Sequence, residues 1–553
     1  MDNKLNGLLE YTIKKHWSKK CFSDFHGETY TFEEVASVIM RNHIVWEKAG
    51  FEKGFRIALC GRNSSMWATT LISAMTYGAV AVPLLNEFTP EQIHRLVNHS
   101  ESKVLFTTLQ IWKKLKIEEM PSLELVMLDT SDRKIVYSKN DDVKKLFDNE
   151  KELLAERYPE GLKADDINFY RHQSPDELLI INYTSGTTSD PKGVMIPERA
   201  VWSNMAFAQE VLPNLHCNMR VLSLLPTAHV YGMAFELMYE FCIGIDITFI
   251  TKALSPFLIM TALAEVKPNL IIVVPLLLEK VVRKGVMPKW NSLKARIFRK
   301  LPFFRNIVYK KVREGLIENL GGNLYEVIIG GAALAPDVED VLHQVGFPYT
   351  VGYGLTECAP ILGYSDWKTF VPHSCGRPAP RMEIKIDSAD PANIPGEIVA
   401  RGMNVMLGYY KNQEATDAAI DKDGWLHTGD MGVMDAGNNM FIRGRVKNML
   451  LSGTGQNIYP EDIEKEIASI PYVAETVVVQ RDTRLIALVY PDREAAAEAG
   501  LKDDAQIKKF FESHKAAINA NLAAYSHVNM FEIVENEFEK TPKKSIKRYL
   551  YTK

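Results

Sequence analysis

The stretch LLIINYTSGTTSDPKGVM, residues 178–195, joins a short apolar segment to a run of glycine, hydroxyl residues, proline and lysine. Its first six residues show almost continuous hydrophobicity, which is typical of a strand buried on both faces of a sheet. The following residues let backbone N–H groups and hydroxyls approach an anion, and Lys192 adds a positive charge. The stretch therefore predicts a buried strand that ends in a phosphate-binding loop.

The spacing of glycine and lysine in this loop differs from that of the ATPase phosphate loop. That motif reads GxxxxGK[ST], whereas here Gly193 follows Lys192 and the earlier Gly186 lies at a different distance. On composition alone, a solvated hairpin or an interdomain connection is an open alternative to phosphate binding.

Length and composition restrict the class of protein. A chain of 553 residues is too long for one hydrophobic core and suggests about three or four domains. The net charge of −4 gives no reason to expect nucleic acid as a partner. The six cysteines are scattered without a CxxC pair, so we expect reduced thiols in the cytoplasm, without disulfides or structural zinc.

Apolar segments long enough to span a bilayer are not apparent. Residues 1–17 contain no continuous apolar segment, so we expect no secretory signal. The longest apolar stretch, residues 270–278, is far shorter than the roughly 20 residues of a spanning helix and contains Pro275. We therefore expect a protein that does not cross a membrane.

Four further segments have the same apolar, β-branched character and are separated by amphipathic stretches such as 198–212 and 255–266. This alternation predicts an α/β fold with a parallel, doubly wound sheet, and an earlier set, RIALCGRNSS with YGAVAVPLL, predicts a second sheet. Because ligands bind beyond the carboxyl ends of such strands, we expect the polar loops after them to converge on one crevice. The four segments are VLSLLP (221–226), LIIVVP (270–275), YEVIIG (325–330) and YTVGYG (349–354).

The character of the chain changes near Arg443. A helix should begin at Pro460, which is followed by acidic residues, and two strands, a second helix and a last strand should come after it. We expect a small α+β domain over residues 444–553, following a large domain over residues 1–443. The predicted elements are 474–480, 484–490 and 528–534 as strands and 504–524 as a helix.

Four later motifs follow the opening loop in a fixed order: LPTAHVYGM, which contains His229, then VGYGLTECAP, DGWLHTGD and FIRGRVKN. In this order the chain resembles the adenylate-forming superfamily, which includes acyl-CoA synthetases, peptide-synthetase adenylation domains and luciferases. The resemblance runs from about Tyr30 to the C-terminus, and DGWLHTGD with GQNIYPEDIE is similar to the fatty-acyl and related carboxylate–CoA ligases. It implies an added small β-barrel and a mobile C-terminal domain that pivots near Lys447.

The resemblance also implies roles for individual residues. The catalytic candidates are Lys192, His229, Glu357 and Lys544. The expected metal ligands are Thr184 and Glu357. The residues expected to line the pocket for the acid are His229, Met233, Phe235, Gly331 and Gly354. The nucleotide would be held by Thr184, Ser185, Gly186, Thr187, Thr188, Gly331, Ala332, Gly352, Tyr353, Gly354, Thr356, Asp430, Arg445 and Lys447.

Two positions depart from the family pattern. Ser189 stands where the family loop usually has glycine, which would cost on the order of 1 kcal/mol if the position needs a positive φ. Ser545 stands where the C-terminal motif usually has its catalytic lysine. The neighbouring Lys543 and Lys544 offer a replacement ammonium group, or they form a solvated basic end.

The resemblance implies ATP, Mg²⁺ and coenzyme A as reactants, with a medium- or long-chain fatty acid as the expected substrate. Tyr231 occupies the place where amino-acid-activating relatives carry an acidic residue, which argues against a charged amino group. Two alternatives stay open: an acyl-AMP ligase that loads a carrier-protein thiol, and a nucleotide-binding regulatory protein that has lost catalysis.

Residues 281–313 contain no acidic residue but many lysines, arginines and aromatic residues. Such a run suits the surface of an anionic membrane, which would place a cytoplasmic protein at the inner face of a membrane. A solvated helix face, or a patch that attracts ATP and coenzyme A, fits the same pattern. The oligomeric state does not follow from the sequence.

Overall fold

The fold is built on two large, mostly parallel β-sheets followed by smaller antiparallel sheets and a separate C-terminal sheet. The computed structural model describes residues 5–184, 191–452, 456–481, 484–540 and 546–552. The expected mixed α/β fold, with a large N-terminal and a small C-terminal domain, is confirmed.

The strands, in chain order, are β1 (Lys20–Asp24), β2 (Thr29–Thr31), β3 (Arg56–Cys60), β4 (Val80–Leu84), β5 (Val104–Thr107), β6 (Leu125–Leu128), β7 (Ile135–Ser138), β8 (Leu178–Thr184), β9 (Lys192–Pro197), β10 (Arg220–Ser223), β11 (Asp246–Phe249), β12 (Leu270–Val273), β13 (Glu326–Ile329), β14 (Tyr349–Val351), β15 (Tyr353–Gly354), β16 (Ile361–Tyr364), β17 (Arg377–Pro378), β18 (Met382–Asp387), β19 (Gly396–Gly402), β20 (Gly408–Tyr409), β21 (Leu426–Met434), β22 (Met440–Arg445), β23 (Leu450–Leu451), β24 (Asn457–Ile458), β25 (Val473–Arg481), β26 (Arg484–Pro491) and β27 (Val528–Ile533).

The α-helices are α1 (Leu5–Lys15), α2 (Phe32–Lys48), α3 (Ser65–Tyr77), α4 (Pro90–Ser100), α5 (Leu109–Trp112), α6 (Asp141–Asp148), α7 (Glu150–Arg157), α8 (Glu198–Val211), α9 (Val230–Met233), α10 (Tyr239–Ile243), α11 (Pro256–Val266), α12 (Pro275–Gly285), α13 (Met287–Trp290), α14 (Leu293–Lys300), α15 (Pro302–Asn319), α16 (Pro336–Gln344), α17 (Gln413–Ala419), α18 (Pro460–Ala468), α19 (Arg493–Glu498) and α20 (Asp504–Ala520).

The first large sheet has the order β14-β13-β12-β10-β11-β1-β2 and is parallel except for the β1–β2 pair. Strands β12 and β13 are buried along their whole length, as their continuous apolar sequences predict. Because β10, β12, β13 and β14 are parallel neighbours, the loops that follow them leave the same edge of the sheet.

The second large sheet has the order β20-β9-β8-β4-β3-β5-β6-β7. The expected second sheet is therefore present, but it also contains the opening strand β8, which the sequence predicts in the first sheet. Strand β8 is parallel to β4 and antiparallel to β9, with Thr184 opposite Lys192. Its apolar composition indicates burial but does not identify its neighbours, so the grouping from sequence was wrong.

Smaller antiparallel sheets follow the two large ones. Strands β15, β16 and β17 form one sheet, and β18, β19, β21 and β22 form another, in the region where the resemblance implies a small barrel. Strand β22 continues to Arg445 and a short turn follows at Val446–Asn448. The domain boundary at residues 443/444 and a hinge near Lys447 stay predictions.

The C-terminal elements follow the sequence closely. Helix α18 begins with Pro460 and acidic residues, and β25, β26 and β27 form a three-stranded sheet. The side chains of Ile463, Phe511 and Phe531 are buried together in a core of its own. The region is thus an independent α+β unit of the kind that was expected.

In the described parts of the chain, the model contains no helix with the length and apolar character that crossing a membrane requires.

Candidate active site

A continuous cleft of about 2360 Å³ lies between the large sheets and the C-terminal unit. Its wall includes residues from the loops after β10, β12, β13 and β14, as the shared sheet edge predicts. Thr184 and Lys192, from the β8–β9 hairpin of the other sheet, also line it. The polar loops that the sequence separates by up to 170 residues therefore do meet in one place.

A buried polar group beside this cleft is centred on Asp430 of β21, which is 5% exposed. Asp430 does not itself line the cleft, but its partners Tyr353 and Arg445 do. Its carboxylate accepts a hydrogen bond from the Tyr353 hydroxyl at 2.7 Å and pairs with Nε of Arg445 at 2.7 Å. Strands β21 and β22 place Asp430 directly opposite Arg445. Burial raises the pKa of Asp430, while Arg445 and Tyr353 oppose that rise. The three residues form a preorganised group of hydrogen-bonding side chains.

A second polar group is centred on Glu357. Its Oε1 accepts a hydrogen bond from the Tyr409 hydroxyl at 2.9 Å, and its backbone carbonyl accepts one from the N–H of Met406. The ammonium group of Lys192 lies 4.7 Å from the centre of the Tyr409 ring. Strand β20 carries Tyr409 and pairs with β9, which carries Lys192. The sheet therefore brings a carboxylate to the hydroxyl of one aromatic side chain and a lysine to its ring.

Tyr409 was not predicted from the sequence. It lies in a short GYY segment outside the motifs, and its strand has only two residues. Burial next to Glu357 raises the pKa of Tyr409, so its hydroxyl stays a hydrogen-bond donor at neutral pH.

The phosphate-loop residues are only partly described. The Thr184 hydroxyl contacts the backbone carbonyl of Lys192 at 3.4 Å, and both residues line the cleft. The four predicted ligands Ser185, Gly186, Thr187 and Thr188, together with Ser189, lie outside the described residues.

His229 is the N-cap of helix α9 and lines the cleft. The backbone N–H of Tyr231 donates to its Nδ1 at 3.2 Å, so a neutral ring carries its proton on Nε2. The preceding loop is held by Asn63, whose amide donates to the Leu225 carbonyl at 2.6 Å and whose Oδ1 accepts from Thr227 N–H at 2.9 Å. Helix α9 therefore begins at His229, directly after a loop that Asn63 holds through hydrogen bonds at Leu225 and Thr227.

Glu236 follows His229 by two helical turns and is fully buried within the π-helical segment Ala234–Met238. Its carboxyl group accepts hydrogen bonds from the backbone N–H groups of Leu224 and Leu225 and from the Ser223 hydroxyl. Burial raises the pKa of Glu236 to about 8. Its acceptor sites serve the loop after β10 and are not directed to a ligand in the cleft.

The backbone after β13 and β14 needs glycine at two places. Gly331 has a φ of 82°, which favours glycine, and a Cβ on Gly354 would lie 2.4 Å from the carbonyl oxygen of Pro360. The predicted nucleotide-binding residues Gly331, Ala332, Gly352, Gly354 and Thr356 all line the cleft. Because Gly331 and Gly354 have no side chain, backbone atoms form the cleft wall at these two positions.

One side of the cleft is apolar. The C-terminal end of helix α8 contributes Phe207, Ala208 and Val211, and Leu212 follows them. The Phe207 ring contacts the rings of Phe235 and Tyr364, which also line the cleft. Phe235 therefore lies where the sequence placed it. Met233 does not: it is 2% exposed, packs in the main core and does not line the cleft. Met233 and Phe235 are two positions apart, and residues with this spacing lie on different faces of a helix, so the two side chains could not both line the cleft.

The C-terminal unit closes the other side. Lys447 lines the cleft, and burial together with Arg445 lowers its pKa. Ile546 and Arg548 also line the cleft, and Arg548 forms an ion pair with Glu464 at 2.6 Å. Lys543, Lys544 and Ser545 lie outside the described residues, between Lys540 and Ile546, which pair as a β-bridge.

This arrangement defines a class of site: a deep cleft between two domains, with carboxylates, a lysine and glycine-rich loops on one side and an apolar wall on the other. The AMP-binding enzyme family model matches residues 9–410, and the AMP-binding enzyme C-terminal domain model matches residues 447–553. The chain belongs to the AMP-binding enzyme family, so the expected membership of the adenylate-forming superfamily is confirmed.

Named relatives place the chain close to acyl-CoA synthetases. It is 28% identical over 539 residues to long chain acyl-CoA synthetase 7, peroxisomal, of Arabidopsis thaliana, covering 91% of this chain and 75% of that one. It is 27% identical over 566 residues to the long-chain-fatty-acid–CoA ligase FadD15 of Mycobacterium bovis, covering 94% and 89%.

Solved structures share the fold. The ATP-bound MatB of Rhodopseudomonas palustris aligns with a TM-score of 0.76 at 19% identity, covering 100% of this chain and 98% of that one. The anthranilate CoA ligase AuaEII, in complex with anthranoyl-AMP, aligns with a TM-score of 0.78 at 19% identity, covering 99% and 96%. At this identity the likeness describes the architecture and not the acid that is bound.

Proposed function

We propose that this protein activates a medium- or long-chain fatty acid with ATP and transfers the acyl group to coenzyme A, releasing AMP and pyrophosphate. The observation that carries this proposal is the joining of a polar nucleotide-type site and an apolar wall in one cleft. The relatives named as long-chain acyl-CoA synthetases support the same reaction.

The polar side has the charges that the first step requires. A carboxylate and the α-phosphate of ATP are both negative, so the site must neutralise charge and hold the two groups in line. We propose that Lys192 and the loop that begins at Thr184 bind the β- and γ-phosphates. Asp430 and Arg445 would bind the ribose hydroxyls, and Tyr353 with the backbone of Gly331 and Ala332 would hold the adenine.

Mg²⁺ fits the donor set beside Lys192. The Glu357 carboxylate and the Thr184 hydroxyl are oxygen donors in the same cleft, and Mg²⁺ is commonly held by one or two protein oxygens together with substrate phosphates. The described residues contain no group of three or more acidic, histidine or cysteine side chains that could hold a metal ion by themselves. Bound there, Mg²⁺ would reduce the negative charge of the phosphates.

The apolar side supports an uncharged acyl chain. Phe207, Val211 and Phe235 offer no partner for an ammonium group. Glu236, the nearest acidic candidate in the sequence, is fully buried and already accepts hydrogen bonds from the β10 loop. An amino acid substrate would therefore bury an unpaired positive charge, which is strongly unfavourable.

The second step needs a thiol near the acyl carbon. We propose that His229 lies at the entrance for the acid carboxylate and the thiol, and that the C-terminal unit pivots near Lys447 between the two steps. We also propose Lys544 as the group that replaces the family lysine missing at Ser545. Ile546, close behind it in the chain, lines the cleft.

The test is formation of acyl-CoA, followed by mass spectrometry, with purified protein, ATP, Mg²⁺ and acids from acetate to palmitate plus benzoate and several amino acids. Each acid is tested with and without coenzyme A. The proposal predicts sustained turnover only with coenzyme A and a maximum at a medium or long chain. Stoichiometric acyl-AMP without stimulation by coenzyme A would contradict it and indicate a carrier-protein acceptor. ATP binding without any turnover would indicate the regulatory alternative.

The lysine assignment has its own test. Lys544→Ala should lower acid-dependent pyrophosphate release on the order of 100-fold, since it removes a cation at the reacting phosphate. Lys547→Ala is the matched control, because Lys547 is paired with Glu539 at 3.3 Å. If Lys544→Ala and Lys543→Ala both leave the release unchanged, the assignment is wrong.

A further inference from the structure

Helix α14 and the first half of α15, residues 293–311, form a helical hairpin that we call the basic hairpin. No residue of α14 is buried, and in α15 Leu316, which lies beyond the hairpin, is the buried residue. The basic hairpin contains seven lysine and arginine residues and no acidic residue. It is therefore an exposed, strongly positive element on the outside of the protein.

The basic hairpin also exposes large apolar side chains. Leu293 and Phe303 are each 74% exposed, and Ile297 is 52% exposed. In α14, Leu293 and Ile297 are four residues apart, as are Phe303 and Ile307 in α15, so each pair lies on one face of its helix. The exposed set of the basic hairpin is Leu293, Ile297, Leu301, Phe303, Phe304 and Ile307.

The base of the basic hairpin is well packed, although the side chains further along it are exposed. Trp290 at the base of the basic hairpin is buried in a core cluster and stacks on Tyr309 with ring centres 5.8 Å apart. The Arg299 guanidinium lies 3.9 Å from the Trp290 ring centre and donates to its carbonyl. Phe298 stacks on Phe304 at 5.2 Å and joins the two helices. The apolar face is thus held outward by a well-packed base.

The basic hairpin combines positive charge with exposed apolar side chains, and this combination favours one of the three functions that the sequence leaves open for this region. A solvated helix face needs no row of exposed leucine, isoleucine and phenylalanine. A patch that attracts ATP or coenzyme A needs the cations alone. Cations beside large apolar residues on exposed helices match the interface of an anionic bilayer, where apolar groups enter the headgroup region and cations meet anionic lipids.

The exposed apolar residues of the cleft wall at α11 and α12 are here called the apolar mouth of the cleft. Helix α11 packs against α15, and Met260 on α11 is both exposed and part of the cleft wall. Leu254, before α11, and Leu276, in the first turn of α12, have the same two properties. Exposed apolar side chains are therefore present on the basic hairpin and also on the cleft wall at α11 and α12.

We propose that the basic hairpin docks on an anionic lipid bilayer and holds the apolar mouth of the cleft against it. Docking needs only the exposed side chains of the hairpin. The further step, entry of the acid from the bilayer through the mouth, rests on the proposed fatty-acid function.

Docking is tested by vesicle flotation without acid, ATP or coenzyme A. Vesicles of phosphatidylcholine with about 30% phosphatidylglycerol, at about 50 mM salt, are compared with pure phosphatidylcholine. We expect binding to the anionic vesicles and loss of binding when the salt is raised about tenfold. No binding at low salt, or equal binding to both vesicle types, would overturn the proposal.

Two variants with matched controls locate the contact. The four-fold variant Lys294→Gln, Arg296→Gln, Lys300→Gln and Arg305→Gln should weaken partition into anionic vesicles by more than about tenfold, since each cation near the surface contributes separately. Its control removes the same charge elsewhere, with Lys113→Gln, Lys114→Gln, Lys144→Gln and Lys151→Gln, and should bind as the wild type does. Equal binding of the two variants would overturn the proposal.

The apolar variant Leu293→Ser with Phe303→Ser should also weaken partition by more than about tenfold. Its control is Leu109→Ser with Ile394→Ser, two exposed apolar residues far from the hairpin in sequence. Acyl-CoA formation from octanoate, which dissolves without lipid, should be the same in all variants. Because flotation needs no substrate, a protein that binds vesicles but activates no fatty acid would refute the proposed function and leave docking intact.

Discussion

The two sides of the cleft differ in how strictly their chemistry selects residue types. On the polar side, Asp430, Arg445, Tyr353 and Glu357 hold defined hydrogen bonds to one another or to Tyr409. On the apolar side, Phe207 and the apolar residues around it present only hydrocarbon surface to the cleft. A charged ligand fixes the position and type of each partner, whereas an acyl chain needs shape and volume alone. The polar side should therefore fail sharply on substitution and the apolar side gradually.

The largest effect is expected at Asp430. Asp430→Asn keeps the shape but weakens the pairing with Arg445 and with the ribose hydroxyls, each charged hydrogen bond being worth about 1.5–3 kcal/mol. We expect kcat/KM for ATP to fall on the order of 100-fold or more, measured by acid-dependent pyrophosphate release. Asp417→Asn, on exposed helix α17, is the control and should behave as wild type. A decrease in kcat/KM of less than about threefold would contradict the proposed role of Asp430.

At Glu357 the expected effect is smaller and concerns the metal. Glu357→Gln removes the negative charge while keeping an oxygen that can accept from Tyr409. The activity at low Mg²⁺ should fall about 10- to 100-fold and recover in part as Mg²⁺ is raised, since a carboxylate ligand is lost. The measurement is a Mg²⁺ titration of pyrophosphate release, with Glu414→Gln as control. An unchanged Mg²⁺ dependence would remove Glu357 from the metal site.

On the apolar side, substitution should change selectivity more than rate. Val211→Trp adds volume to the wall formed by α8, so long acids should lose kcat/KM by about tenfold while short acids are little affected. The measurement is the chain-length profile of acyl-CoA formation. Gln209→Trp, on the same helix but away from the cleft wall, should keep the wild-type profile. A uniform loss for all acids in Val211→Trp would contradict a role in chain selection.

The smallest effect is expected at Glu326, behind the apolar wall. Its buried carboxyl group accepts from the hydroxyl of Tyr364, a residue of that wall, and burial raises its pKa to about 8. Because the folded protein binds this proton more tightly than the unfolded chain, stability should fall as pH rises from 4.5 to 8 and then level off.

The test is the thermal unfolding midpoint between pH 6 and pH 8.5 in wild type and Glu326→Gln. The variant keeps an acceptor for Tyr364 but cannot ionise, so its midpoint should fall less steeply with pH. The change in slope corresponds to about 1.4 kcal/mol per pH unit at most. Identical slopes would mean that Glu326 does not titrate in this range. Glu326→Gln should therefore change the pH dependence of stability, whereas the substitutions on the polar side should change activity.

The motifs of the sequence contain most of the polar residues that the structure brings together. Lys192 comes after β8, Glu357 comes after β15, and Asp430 lies within β21. Tyr409 was missed, since a two-residue strand at the edge of a sheet gives no periodic signal. Strand β8 was assigned to the wrong sheet for a related reason: its composition indicates burial, while its parallel neighbour β4 is chosen by long-range packing.

The apolar side was predicted less well. Phe235 lines the cleft but Met233 does not, because residues two positions apart lie on different faces of a helix. Helix α8 was predicted almost to the residue, yet nothing in its sequence indicated that its last turns border a ligand cleft. Core residues and acyl-chain residues are of the same type, so only the fold separates them.

The most direct test of the central claim, that one cleft joins a nucleotide site to a fatty-acid site, is exchange of labelled pyrophosphate into ATP in the absence of coenzyme A. The exchange reports the first step alone and can be measured for each acid in turn. We predict exchange that depends on added fatty acid, increases from acetate to a medium or long chain, and is absent with amino acids. Exchange with an amino acid but no fatty acid, or no exchange with any acid, would contradict the account.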